Sequence, residues 1–200
     1  IDSPRSKAYL KDFLTKFRTF SKTSSTEAEE FALHEVDNIV MSDNIKWKIY
    51  LELAELAKKN DDHDKARDYY IRAACCEKRS STIWLEWSKM EEENGRFELA
   101  LEILKIGLSI CKISFPSSSI LHQQHNDTLL PRLIKLYERF HQYGEIRSVL
   151  SRLQPDQPID KIWKSILEGC LFELRLGNLT TARLFLNYLM KYVPWYGPIY

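Results

Sequence analysis

Tryptophan stands at residues 47 and 84, 37 residues apart, and the same interval separates Trp163 from Tyr200. A repeated interval of this length leaves few folds open. It matches one helix–turn–helix unit, and such units bury their apolar stripes only by stacking pair upon pair. The residues between these marks have helical character. Trp47-Lys48-Ile49-Tyr50 opens one helix, the run Ala66 to Ala73 lies on the next, and Ile83-Trp84-Leu85-Glu86-Trp87 opens a third. The expectation is an all-α chain, a right-handed α-solenoid of antiparallel helix pairs with about five repeats.

Local signals divide the chain. Ser3-Pro4 starts a first helix with Leu10, Phe13, Leu14 and Phe17 at helical spacing, and Thr26-x-x-Glu29 reads as a capping box for a second. These two make a degenerate repeat over 1–42. A repeat over 43–79 follows, with Trp47, Tyr50, Leu51, Ala54 and Leu56 inward on its first helix. Asp61-Asp62-His63-Asp64 turns the chain and caps the next helix. Another repeat covers 80–111, its first helix capped by Ser81 and ended by Asn94-Gly95. Residues 112–128 are polar and turn-rich and form an inserted loop. Repeats over 129–157 and 158–194 complete the series. Gly144 stops the first helix of one, Asp160 caps the first helix of the other, and Gly177 ends it. Proline falls between helical patterns, as an all-helical chain requires. Residues 195–200 open a further unit, so the chain reads as a fragment of a longer array.

With 44% hydrophobic residues the chain can bury a core, and its net charge of +1 gives no global attraction to nucleic acid or acidic membranes. Charge is nonetheless uneven. Residues 1–22 carry six basic and two acidic side chains, whereas 23–42 carry five acidic and no basic ones. Cys75, Cys76, Cys111 and Cys170 form no C-x-x-C pair and read as reduced thiols of an intracellular protein. No apolar run approaches the ~20 residues that span a bilayer.

Two spaced patterns carry a resemblance. Trp84-x-x-Trp87-x-x-x-Glu91 on a first helix, and Ala66-Arg67-x-x-Tyr70-x-Arg72-Ala73 on a second, resemble the half-a-TPR (HAT) repeat. The likeness is strongest over residues 46–91 and continues over 160–200, where Trp163, Ala182-Arg183, Phe185 and Pro194 fit. Departures are Ala54 and Gly169 at the glutamate position, Ala100-Leu101 in place of Ala-Arg, and Leu133 in place of tryptophan. The resemblance implies a TPR-like scaffold of RNA-processing machinery: splicing, mRNA 3′-end cleavage or rRNA assembly. It also implies that the signature residues hold the repeat together, with Glu and Arg satisfying each other at the helix seam. Those residues are Trp47, Tyr50, Ala66, Arg67, Tyr70, Arg72, Ala73, Trp84, Trp87, Glu91, Trp163, Ala182, Arg183 and Pro194. Protein partners, a homodimer and a nuclear or organellar location follow from the same likeness.

No pattern supports catalysis. There is no Gly-rich phosphate loop and no nucleophile with His and acid at motif spacing. His122-x-x-His125 lacks further ligands at structural spacing and reads as a polar loop. The expected set is therefore no enzyme, no cofactor, no metal and no small-molecule substrate. The leading function is a non-catalytic interaction scaffold. A second reading is single-stranded RNA binding by a basic strip of Arg132, Lys135 and Arg139, at i, i+3 and i+7, joined by Arg147 and Arg152. A third is a general TPR-type peptide adaptor.

Overall fold

The computed structural model describes residues 4–38, 43–113, 126–153 and 159–197. Among these residues there are ten helices and no strand: α1 (Pro4–Thr23), α2 (Ser25–Asn38), α3 (Asp43–Lys59), α4 (His63–Cys76), α5 (Ser81–Glu93), α6 (Phe97–Ile113), α7 (Asn126–Arg139), α8 (Tyr143–Ser151), α9 (Ile159–Arg175) and α10 (Leu179–Tyr192). The chain gathers into two compact units, residues 1–83 and 84–200. Most of the inserted loop expected at 112–128, with His122 and His125, lies outside the described residues, as do Ser3, Ile39, Val40, Pro155 and Pro158.

In the first unit α1 packs on α2, α2 on α3, and α3 on α4. Phe13 stacks against Phe17 and Phe31, with ring centroids 5.7 and 5.6 Å apart. The buried stripe of α3 is Ile45, Ile49, Leu53, Ala54, Leu56 and Ala57. It lies partly to one side of the expected face, because Trp47, Tyr50 and Leu51 are only half-buried. Helix α2 begins at Ser25, and Ser24 Oγ accepts the amide of Glu27. Ser24 is thus the cap that the capping-box reading gave to Thr26, which frees Glu29 for another task. Its carboxylate takes Lys65 Nζ at 2.7 Å and the Tyr69 hydroxyl, tying α2 to α4. Burial, and then that bond to Glu29, push the Tyr69 hydroxyl well above the ordinary tyrosine range.

The second unit takes in Trp84 onward. There α10 packs on α9, α9 on α7 and α8, and α7 on both α8 and α6. Ile162, Ile166, Leu189 and Val193 form one buried cluster, with Trp163 and Tyr196 packed against it. Trp84 stacks on Trp87 at 6.1 Å and lies over Gly107 so closely that a Cβ there would stand 2.6 Å from its Cγ. A larger residue at 107 would push the indole away.

The turns α3–α4, α5–α6, α7–α8 and α9–α10 are each closed by one residue in the left-handed region: Asp61 (φ 57°), Gly95 (72°), His141 (55°) and Gly177 (80°). The chain then bonds back onto the helix it leaves, as in Arg96 N to Glu91 O at 2.8 Å and Asn178 N to Glu173 O at 2.9 Å. Two expectations change here. His141, not Gly144, ends α7, and Gly144 lies inside α8. Pro131 lies inside α7 rather than between helices. It sits six residues in, beyond the first turn where proline is accommodated freely, and leaves one carbonyl without its helical donor. Helix starts also shift slightly, since Ser81 and Asp160 fall within α5 and α9 rather than before them.

Candidate interaction surface

The left-handed residues supply a register independent of tryptophan. From Asp61 to Gly95 is 34 residues and from His141 to Gly177 is 36. Trp47 and Trp163 both precede their turn by 14 residues, whereas Trp84 precedes Gly95 by 11, one helical turn nearer. The 37-residue tryptophan step is therefore a 34-residue repeat plus that displacement. Five residues after each turn stand Ala66, Ala100, Ile146 and Ala182, all fully buried. The alanine at three of these positions lets the second helix of the pair approach the first, and Ile146 fills the same level in α8. One residue further on are Arg67, Leu101, Arg147 and Arg183.

This register locates the signature residues. Trp84 is buried, while Trp47, Tyr50, Trp87 and Trp163 are half-buried, and Tyr70 and Ala73 lie in the core. Glu91 is fully buried and accepts the Trp87 indole N–H at 3.2 Å. Arg67 pairs with Asp64, Arg72 stands 5.9 Å from the Tyr69 ring, and Arg183 and Pro194 are exposed. Glu91 lies four residues before Gly95, and Glu173 lies four before Gly177. Glu173, not Gly169, thus holds the glutamate position in α9. Gly169 instead admits Leu150, whose methyl carbons would lie 2.7 Å from a Cβ there.

Among the described residues, four of the five basic residues of the expected strip meet carboxylates. Arg132 and Arg139 both bind Glu92, on opposite oxygens. Lys135 reaches Glu168 at 3.2 Å, and Arg147 reaches Glu173 at 3.0 Å. Arg152 is exposed at the end of α8. The sequence reading had not singled out Arg175, which forks onto Glu138 with two bonds of 2.6 Å and also touches Glu168 at 3.3 Å. Four of the five candidate cations therefore tie α7 to α5 and α9, or α8 to α9. Burial by itself would raise the carboxyl of Glu173, but bonds from Arg147 and Asn178 overcome it and hold the group below the usual range. The partners, Glu92, Glu168 and Glu173, are all buried. Aligning the chain on its turn residues instead of its tryptophans would have found Glu173. Nothing in the spacing pointed to Glu92.

At the Glu92 end the ionic links open into a shallow cleft of about 360 Å³, lined by Lys89, Glu92, Glu93, Phe97, Arg132 and Arg139. Phe97 rests on Phe140 with centroids 4.7 Å apart and turns its other side to solvent. Among the described residues no helix is long and apolar enough to cross a membrane, and no group of three or more metal-ligating side chains gathers.

Compared with known proteins, residues 40–200 match the family described as PRP6, TPR-like domain. The chain belongs to that family. The PRP6 TPR-like domain here takes in α3 to α10, and α1 and α2 precede it. The similarity reaches further in a Dictyostelium discoideum protein described as TPR-containing, 38% identical over all 200 residues. The chain spans 14% of that relative's length. The helical-repeat architecture expected from the HAT resemblance is thus the architecture of the family, and the 34-residue turn interval is the TPR length.

Proposed function

We propose that this PRP6-type domain is a non-catalytic scaffold, joining protein subunits within a nuclear splicing or related RNA-processing assembly. The observation that carries this reading is where its cations stand. Arg132, Lys135, Arg139 and Arg147 are each held by a carboxylate of a neighbouring helix in the same unit, so they alternate with acids and form no continuous basic strip for a phosphate backbone. Large apolar side chains face solvent instead. Leu179, Leu184 and Trp195 are each more than half exposed, as expected of residues that meet protein. The PRP6 family, a splicing-factor family, supports the choice of assembly.

The test is affinity purification of the full-length protein with and without ribonuclease, paired with titration of the 200-residue chain with a twenty-nucleotide oligouridylate. The scaffold reading expects splicing subunits that survive ribonuclease and no saturable oligouridylate binding at 0.15 M salt. Recovery lost entirely to ribonuclease, together with salt-steep RNA binding, would replace it with the RNA-binding reading.

A further inference from the structure

The cleft at Glu92 is not explained by repeat packing. Counted back from the turn, Arg132 occupies the position that Glu86 holds in α5 and Glu168 in α9. The cation is therefore peculiar to α7. It and Arg139 converge on one carboxylate, so two positive charges face one negative. Lys89, also in the lining, is taken by Glu86 at 2.8 Å, which leaves Arg132 and Arg139 beside Glu92 and Glu93. Glu92 has one oxygen for each guanidinium, and two guanidinium groups carry far more N–H donors than one carboxylate accepts. The Nε–H of Arg132 is closed off from water and meets no acceptor among the described residues. Beside these donors lies the ring of Phe97, 41% exposed, and the side chain of Arg139 is 63% exposed. An opening of this volume holds one or two side chains.

We propose that this cleft takes an acidic side chain of a partner protein together with an adjacent apolar one. The carboxylate meets the exposed guanidinium of Arg139, which Arg132 steadies by sharing Glu92, and the apolar neighbour lies on Phe97. Planar guanidinium forks suit a carboxylate in two-point contact. One exposed guanidinium beside one exposed ring suits a single carboxylate with an apolar neighbour, whereas Glu92 and Glu93 repel a run of phosphates. That pairing of cation and ring favours an acidic peptide over RNA. The proposal rests on the scaffold reading and names the chemistry of one partner contact.

The probe is an array of eight-residue peptides with a central Asp or Glu, its neighbours varied over Leu, Phe, Ile and Ser, beside Asn and Gln counterparts. The 200-residue chain is applied to it, and the best acidic peptide is then titrated in solution against an oligouridylate competitor. Acidic peptides with an apolar neighbour are expected to bind, and their amide counterparts at least ~10-fold more weakly. Arg139→Gln should reduce binding about ten-fold in a chain that stays folded, since Arg132 still holds Glu92, and Phe97→Ser should remove the preference for an apolar neighbour. Lys135→Gln, outside the cleft, should leave binding as it was. No selection of acidic peptides, or binding indifferent to Arg139→Gln, overturns the proposal. So does oligouridylate displacing the peptide and binding more tightly, which would make the cleft a phosphate site. Loss of the peptide contact with splicing subunits still recovered from cells sinks the cleft alone. Peptide binding without those subunits sinks the scaffold's placement and leaves the cleft.

Discussion

At Asp61 and His141 a residue with a side chain adopts the backbone that Gly95 and Gly177 adopt freely. The left-handed region costs an L-residue about 1–2 kcal/mol, and Asp is among the residues that tolerate it best. Asp61→Gly is therefore expected to stabilise the first unit by roughly 0.5 kcal/mol, and Gly177→Ala to destabilise the second by about 1 kcal/mol. A Cβ at 177 meets nothing within 4 Å, so that cost belongs to the backbone alone. Urea denaturation measures both, and an Asp61→Gly chain less stable than the parent would show that the aspartate side chain matters more than its φ. Gly107 is a different kind of glycine. In a helix interior Gly→Ala normally gains about 1 kcal/mol. Here the new methyl would meet the Trp84 side chain at 2.6 Å, and overpacking of this kind costs typically 1–3 kcal/mol. Gly107→Ala should thus lower stability on balance and change the near-ultraviolet signal of the indoles, and a higher melting temperature would refute the close contact.

Among the elements, α8 is joined to α9 by a polar seam, Arg147 on the carboxylate of Glu173, which also takes Asn178 from the turn into α10. The folded state holds that carboxyl below its unfolded value, which is about 4.3. Its contribution is therefore complete above pH ~4.3 and is lost as pH falls through the lower, folded value. Glu173→Gln lacks this linkage. The melting-temperature gap between parent and variant should be widest near pH 7 and narrow below pH ~4. A gap that stays constant down to pH 3 would mean the carboxylate is not held as described. This seam also marks what the sequence disclosed at this scale. Helices α3 to α6 were legible because aromatics and alanines recur at helical spacing and Asn94-Gly95 marks a turn. The end of α7 was not, because the left-handed position is filled by His141, while a glycine three residues later imitates the usual signal. The tryptophan interval named the right class of fold but misplaced the register, since Trp84 sits one helical turn nearer its turn residue than Trp47 and Trp163. Ion pairs such as Glu92 with Arg132 join residues 40 apart through helix packing, and no local spacing encodes them. The basic strip was accordingly legible as residues but not as partners.

Over the whole molecule, each helix of the second unit meets mainly its neighbours in the series: α10 on α9, α9 on α7 and α8, α7 on α6. Contacts of this kind make stability a sum of local terms rather than one shared core, so damage at an end should stay near that end. Leu189, fully buried in α10, provides the test. Leu189→Ala removes about 2–5 kcal/mol of packing at α9 and α10. Native-state hydrogen exchange should then show the largest loss of amide protection in α9 and α10, a smaller one in α7, and the least in α5 and α6. The gradient follows because α5 and α6 keep Trp84, Gly107 and Leu104 packed whether or not α10 frays. A uniform loss across residues 84–197 would mean that the unit unfolds as a single cooperative body, and that the paired helices do not behave as repeats at all.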